Sequence, residues 1–271
     1  MLIMLACTLC LTGCGMLSAT PKVQRIALFA PFEGRYREIG YNALYAARLA
    51  LADSGNHAIE LLAVDDGGTA ETAALHLQAI EQDSSVIAAI GLGYHAAEPA
   101  TQQVLGDLPY LIVGYWAEDR AAENSFILAN AAIRSAITIP ATISITEAAR
   151  LDAPFSGGEV IGLKGFASLR DNLRDITLIT SGSLPDAAFR ERYLASDLYV
   201  PEPNHLATLV YDAVNFIVAG RTGSRDEALG WLNTGIYAGI NGEISFSGGW
   251  WQHAPLNRYE FSAERALVAE G

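Results

Sequence analysis

RIALFA (25–30) runs directly into PFEGRYREIG (31–40), and NALYAARLALAD (42–53) follows with helical spacing. The first run is short, apolar and β-prone, so it reads as a buried strand. Pro31 ends it, Gly34 opens a loop, and Gly40 stands where the next helix begins. A strand that feeds a glycine-bearing loop and then a helix presents small molecules at the carboxyl edge of an α/β sheet. Three roles suit such a loop: a phosphate cradle, a catalytic turn, or the lip of a binding cleft.

Outward from this stretch the same alternation continues. AIELLAVDD (58–66), VIAAIG (86–91) and PYLIVG (109–114) read as strands. TAETAALHLQAIEQ (69–82) reads as a helix with Leu75, Ala79 and Ile80 on its apolar face, and AEPATQQVLG (97–106) as a shorter one. Strands separated by helices predict a parallel sheet covered on both faces. Beyond FILAN (126–130) the pattern weakens: SAITIPATISITEAARLD (135–152) is β-rich before a helix-like piece. EVIGLKG (159–165) and DITLITSGS (175–183) read as two further strands. Helical spacing returns in DAAFRERYLAS, HLATLVYDAVNFIVAG and RDEALGWLNT. The closing INGEISFSGGWWQHAPLNRYEFS reads as two strands around a glycine turn.

The chain has 271 residues, a length that suits two modest domains. Half of it is apolar, 17% is charged, and the formal net charge is −13 with no basic block. Such an acidic surface repels phosphate backbones and argues against nucleic-acid binding. Cys7, Cys10 and Cys14 are the only cysteines, so nothing after Cys14 can form a disulfide or a thiolate metal site. MLIMLACTLCLTGCG (1–15) is too short for a transmembrane helix and reads as a signal segment. Its end, Leu11-Thr12-Gly13-Cys14, resembles the bacterial lipoprotein box, which makes Cys14 the expected lipidation site.

Gly91-Leu92-Gly93-Tyr94-His95-Ala96 matches the dinucleotide fingerprint GxGxxA, with Glu118 and Asp119 as acids further on. It follows the third strand rather than the first, Pro99 interrupts the helix behind it, and Tyr94 and His95 crowd a phosphate. PFEGRYREIG lacks the Gly-Lys-Ser/Thr ending of a phosphate-binding P-loop. The histidines have no metal-ligand spacing, Ser181 and Ser183 lack a nucleophile-elbow context, and Asp65-Asp66 project to opposite faces of their strand. Nothing assembles an acid, a base and a nucleophile.

Taken in order, these segments resemble the type I periplasmic binding proteins, above all the branched-chain amino-acid binders of ABC transporters. The matching pieces are Pro31, Gly34 and Gly40 in the first loop, VDDGGTAETAA, IGLGYHAAEPA, LPYLIVG, FRERYLASDLYVPEPNHLATLVYDAVNFIVAG and INGEISFSGG. The resemblance implies a two-lobed α/β fold, parallel sheets with flanking helices, and a ligand between the lobes. Lobe one would be 23–126 with 185–237, and lobe two 127–184 with 238–264, reduced because 131–158 is too short for a full helix–strand–helix–strand passage. The opening loop then becomes the lip of an interlobe cleft.

The resemblance places Arg35, Tyr36, Tyr94, His95, Trp116, Glu118 and Lys164 at the ligand. It implies no cofactor, no metal and no catalysis. Glu118 falls where the family grips a carboxylate, and Lys164 where it holds an ammonium, so the charge pattern is inverted. Like charges about 4 Å apart cost roughly 4 kcal/mol at an effective dielectric of about 20, which argues against a free α-amino acid. The expectation is an extracytoplasmic, lipid-anchored solute-binding protein with an ABC permease as partner, taking an uncharged or anionic ligand. Two alternatives stay open: an interaction lipoprotein on the same fold that has lost solute binding, resembling activators of cell-wall synthases, and a dinucleotide-binding enzyme resting on GLGYHA.

Overall fold

The computed structural model describes residues 23–139 and 144–270. The expected signal segment and Cys14 lie outside them. Strand β1 (Gln24–Ala30) leads through the quoted loop into α1 (Arg37–Ser54), followed by β2 (Ile59–Asp65), α2 (Ala70–Gln82) and β3 (Val86–Gly91). Two four-residue helices, α3 (Tyr94–Ala97) and α4 (Pro99–Gln102), precede β4 (Tyr110–Val113) and β5 (Ser125–Leu128). These five strands pair in parallel, and β3, β4 and β5 are buried along their whole length. Their unbroken apolar runs are what a sheet covered on both faces requires.

The loop between β1 and α1 explains its own glycine spacing. A side chain on Gly40 would collide with the Pro31 carbonyl, because the chain folds back over the first turns of α1. The helix therefore starts at Arg37, earlier than its apolar periodicity suggests, and the latter half of PFEGRYREIG is helical. Helix α2 is capped by Thr69, whose hydroxyl accepts from Thr72 N–H at 3.1 Å. Its buried face is Ala73, Leu77 and Ile80, whereas Leu75 is 60% exposed and Ala79 is exposed. Both stripes satisfy helical spacing, and packing against α4 selects the first.

After β5 the chain crosses to a second sheet through α5 (Ile133–Ala136) and α6 (Ile145–Ala148). That sheet begins with β6 (Phe155–Gly157), which pairs in parallel with β7 (Ile176–Thr180). EVIGLKG is not a strand. It forms a 3-10 turn over Glu159–Gly162 and a single helical turn, α7 (Lys164–Ala167). The reason is Glu159, whose carboxylate is turned inward to buried partners, and Gly162, whose missing side chain leaves room for the His205 ring. The β-rich reading of 135–152 gives no strand among the described residues of that stretch.

The chain then returns to the first sheet through α8 (Ala187–Leu194), α9 (His205–Ala219) and α10 (Arg225–Thr234), capped by Asp186, Asn204 and Ser224 respectively. Helix α9 is buried on nearly every side and packs along α1. The closing segment holds more strands than its sequence suggests: the hairpin β8 (Tyr237–Gly239) and β9 (Gly242–Ile244), then β10 (Phe246–Ser247) and β11 (Trp250–Trp251), then β12 (Asn257–Phe261) and β13 (Leu267–Ala269). Strand β11 lies parallel to β5, giving the first sheet the order β10-β11-β5-β4-β3-β1-β2. The second sheet has only four strands, β13-β12-β7-β6, with β12 antiparallel to both neighbours. No helix among the described residues is long and apolar enough to cross a membrane.

Candidate functional site

Strands β1 and β3 are neighbours in the first sheet, yet β1 is followed by β2 on one side and β3 by β4 on the other. Their outgoing loops therefore part at the carboxyl edge and leave a crevice, the place where open α/β sheets bind ligands. A cavity of about 300 Å³ occupies that crevice, walled by Arg35, Tyr36, Asp66, Gly93, Tyr94 and His95.

The end of β2 builds one wall. Asp65 accepts the N–H groups of Phe32 and Glu33 at 2.6 and 3.2 Å on one carboxylate oxygen, and that of Gly67 at 2.9 Å on the other. One side chain thus ties the β1 loop to the β2 loop. Asp66, projecting to the other face, is 2% exposed and accepts the Gly68 N–H at 2.9 Å. Burial raises its carboxyl above the ordinary 3.8, only partly offset by that hydrogen bond.

Aromatic rings span the carboxyl edge. Tyr36 meets Tyr94 edge-on at 6.0 Å between centroids, and Tyr94 meets Trp116 edge-on at 5.3 Å. Trp116 is fixed by its indole N–H, which donates to the Val113 carbonyl at the end of β4 at 2.7 Å. Desolvation pushes the Tyr94 phenol well above its ordinary range, with Tyr36 and Glu159 adding to the effect. His95 Nδ1 lies 3.0 Å from Glu98 Oε1, which orients the imidazole at the rim.

The glycines of GLGYHA have packing roles. The space beside Gly91 is filled by the Tyr110 phenol, which donates to the Ala96 carbonyl at 2.8 Å. Gly93, at φ +93°, sits against the Pro31 ring. A pyrophosphate has no approach to Gly91 past that phenol.

The second sheet closes over this edge. The Glu38 carboxylate accepts the N–H groups of Lys164 and Gly165, both at 3.1 Å. Glu159 is fully buried: one oxygen accepts the Tyr115 N–H at 2.8 Å, and the other lies 3.1 Å from His205 Nε2. The gap left between Arg35, Tyr36 and Glu38 on one side and Val160, Leu163 and Phe166 on the other is about 40 Å³.

The structure thus brings Arg35, Tyr36, Tyr94 and His95 around one cavity and places Trp116 behind Tyr94. It does not bring Glu118 or Lys164 there. Glu118 is exposed and paired with Arg134 at 2.9 Å, and Lys164 lines a different cavity. The two charges behind the exclusion of a free amino acid therefore do not flank the same space. Asp66, Glu38, Glu159 and His205 escaped the sequence reading. Only Asp66 left a signal, as half of the acidic pair ending β2; the others depend on contacts 44 to 127 positions apart in the chain. A larger cavity, about 620 Å³ beside Gln24, Ser85 and Arg225, lies at the amino edge of the sheet, away from these loops. Among the described residues no cluster of histidine, cysteine and carboxylate side chains could hold a metal ion.

No protein-family model and no curated protein sequence matches the chain. Solved structures do. An extracellular ligand binding receptor from Desulfohalobium retbaense superposes with a TM-score of 0.71 at 15% identity, over 91% of this chain and 59% of that one. This chain therefore spans less than two thirds of that receptor's length. The branched-chain amino acid transporter substrate binding protein of Streptococcus pneumoniae, in complex with isoleucine, matches with a TM-score of 0.67 at 15% identity, over 92% and 100% of the two chains. The solute binding protein of an ABC transporter from R. palustris, in complex with benzoate, gives 0.66 at 16% identity, over 92% and 96%. At these identities the likeness concerns architecture: this chain has the fold of the type I periplasmic binding proteins, two α/β lobes of which the second is reduced to a four-stranded sheet.

Proposed function

We propose that this protein is a non-enzymatic, extracytoplasmic solute-binding protein, anchored through a lipid on Cys14, that delivers a small molecule to an ABC-type permease. The observation that carries the reading is the cavity at the switch point between β1 and β3, walled by aromatic rings, Arg35 and the buried Asp66. In this reading lobe one comprises 23–126 and 185–237, and lobe two 127–184 and 238–264, with β10 and β11 of the latter span adding to the first sheet. Tyr36 and Tyr94 suit a flat or apolar ligand, and with Arg35 set beside Glu33 and Asp66 an uncharged one suits the walls best. The R. palustris neighbour, in complex with benzoate, supports the idea that this architecture accepts ligands other than amino acids.

One observation favours a second reading, an interaction lipoprotein without a solute. Glu38 and Glu159 hold the lobes together, and the gap between Arg35 and Tyr36 of one lobe and Val160 and Phe166 of the other is about 40 Å³. Mass spectrometry of small molecules carried through native purification separates the two. A co-purified solute that stabilises the protein by about 2.7 kcal/mol at 100 times its Kd supports transport binding. If neither the purified protein nor a panel of aromatic and aliphatic acids, alcohols and amino acids gives saturable stabilisation, the second reading replaces the first.

A further inference from the structure

Lys164, which the resemblance sends to the ligand, lines a cavity between the lobes that shares no wall residue with the one at the switch point. This space, about 300 Å³, lies between α7, the segment leading into α9, and strands β12 and β13. Its walls are largely apolar, with Leu163, Leu184, Phe261 and Leu267 contributing. Four charged side chains besides Lys164 reach it: Glu38, Arg190, Glu202 and Arg265.

The two carboxylates are already engaged. Glu38 is taken up by the Lys164 and Gly165 N–H groups, and Glu202 forms a two-point ion pair with Arg190, whose second contact is 2.9 Å. The other two cations have no carboxylate at ion-pair distance among the described residues. Arg265 donates only to the backbone carbonyls of Ala167 and Asp171, both at 3.2 Å, and these hold its guanidinium at the rim. Lys164 reaches the Glu202 carboxylate only at longer range. An apolar chamber with two cations lacking carboxylate partners, on a chain of net charge −13, has the chemistry of a site for an organic anion.

We propose that this cavity is a second binding site, for a small monocarboxylate carried on an apolar body. The carboxylate pairs with Lys164 and Arg265 and the hydrocarbon lies against Leu184, Phe261 and Leu267. The volume suits a ligand at the small end of the usual range. This site is separate from the switch-point cavity and does not depend on the function assigned there.

Calorimetry of the full chain against hexanoate and its uncharged counterpart hexan-1-ol tests the proposal. Hexanoate should bind saturably, and hexan-1-ol at least about tenfold more weakly. Lys164→Gln and Arg265→Gln should each weaken hexanoate by about tenfold, and weaken hexan-1-ol far less. Chemical-shift mapping on the wild-type protein, which requires no variant to fold, should place hexanoate at Lys164, Ala167 and Leu267. Absence of saturable hexanoate binding at millimolar concentration overturns the proposal, and so does equal affinity for the alcohol. Shifts centred on Tyr36 and Tyr94 would also overturn it, while supporting the switch-point cavity as the ligand site.

Discussion

Glu38, in the first turn of α1, accepts the backbone N–H groups of Lys164 and Gly165 across the gap between the two lobes. Those partners are 126 and 127 positions away, so one carboxylate closes a very long chain loop. Charge-assisted hydrogen bonds contribute about 1.5–3 kcal/mol when well shielded, and these two are solvent-exposed, so about 1 kcal/mol is expected for the pair. Glu38→Ala should lower the unfolding free energy by that order. It should also speed hydrogen exchange at the Lys164 and Gly165 amides more than elsewhere in α7. Unchanged exchange at both amides would show that Glu38 does not hold the lobes together.

Glu159 and His205 form the deeper tie, with both side chains fully buried. Removing one partner of a buried, hydrogen-bonded pair costs about 3–5 kcal/mol, because the other keeps its desolvation cost without its contact. Glu159→Ala also strands the Tyr115 N–H. Urea unfolding should show a loss of at least about 3 kcal/mol for Glu159→Ala and a smaller one for Glu159→Gln, which keeps an acceptor for Tyr115. Equal effects would mean that the carboxylate charge, which both variants remove, sets the cost, and neither side-chain volume nor the Tyr115 acceptor does.

Asp66 gives a pH signature whose sign follows from its burial. Its carboxyl is raised above 3.8 in the folded protein, so the native state binds that proton more tightly than the unfolded chain does. The resulting stability is complete below pH 3.8 and is lost as pH rises through the folded-state value. Asp66→Asn keeps a carbonyl for the Gly68 N–H and removes the titration. Wild-type stability minus that of the variant should therefore fall as pH rises above about 4, then level off. A difference that is flat or rises over that range contradicts the assignment.

Tyr94 joins the cavity to Trp116, so it should govern both ligand affinity and indole emission. Its ring contacts contribute about 0.5–1.5 kcal/mol each beyond burial, and a ligand stacked on it gains a similar amount. For any solute found to bind there, Tyr94→Ala should weaken binding by about tenfold or more, and Tyr94→Phe by less. Trp116→Phe should remove most of the fluorescence change on binding. An emission change that survives in this variant would place the ligand elsewhere.

Cys14 lies outside the described residues, and its role is tested in cells. Stable anchoring takes two or more acyl chains, since one gives only marginal membrane binding. Cys14→Ser should move the protein from the membrane to the soluble fraction. Retention of the variant at the membrane in high salt would disprove lipidation at this residue.

The parallel strands of the first sheet are legible in the local pattern of the chain. Strands β3 and β4 are buried on both faces and β1 over most of its length, so they read as continuous apolar runs, and α2 carries a cap, Thr69, that needs no distant partner. The loop PFEGRYREIG was legible as the lip of a crevice because its glycines answer local demands, Gly40 against Pro31 above all. Arg35, Tyr36, Tyr94 and His95 follow from it, since each belongs to a loop at a strand's carboxyl end. Other features depend on contacts between distant parts of the chain. EVIG turns instead of extending because Glu159 finds Tyr115 and His205, partners 44 and 46 positions away. Lys164 left the expected site because its own N–H is held by Glu38, which sets α7 so that the side chain lines a different cavity. Local propensity acts over a few residues, and a charged side chain takes its place from whichever buried donor or acceptor the fold brings near it.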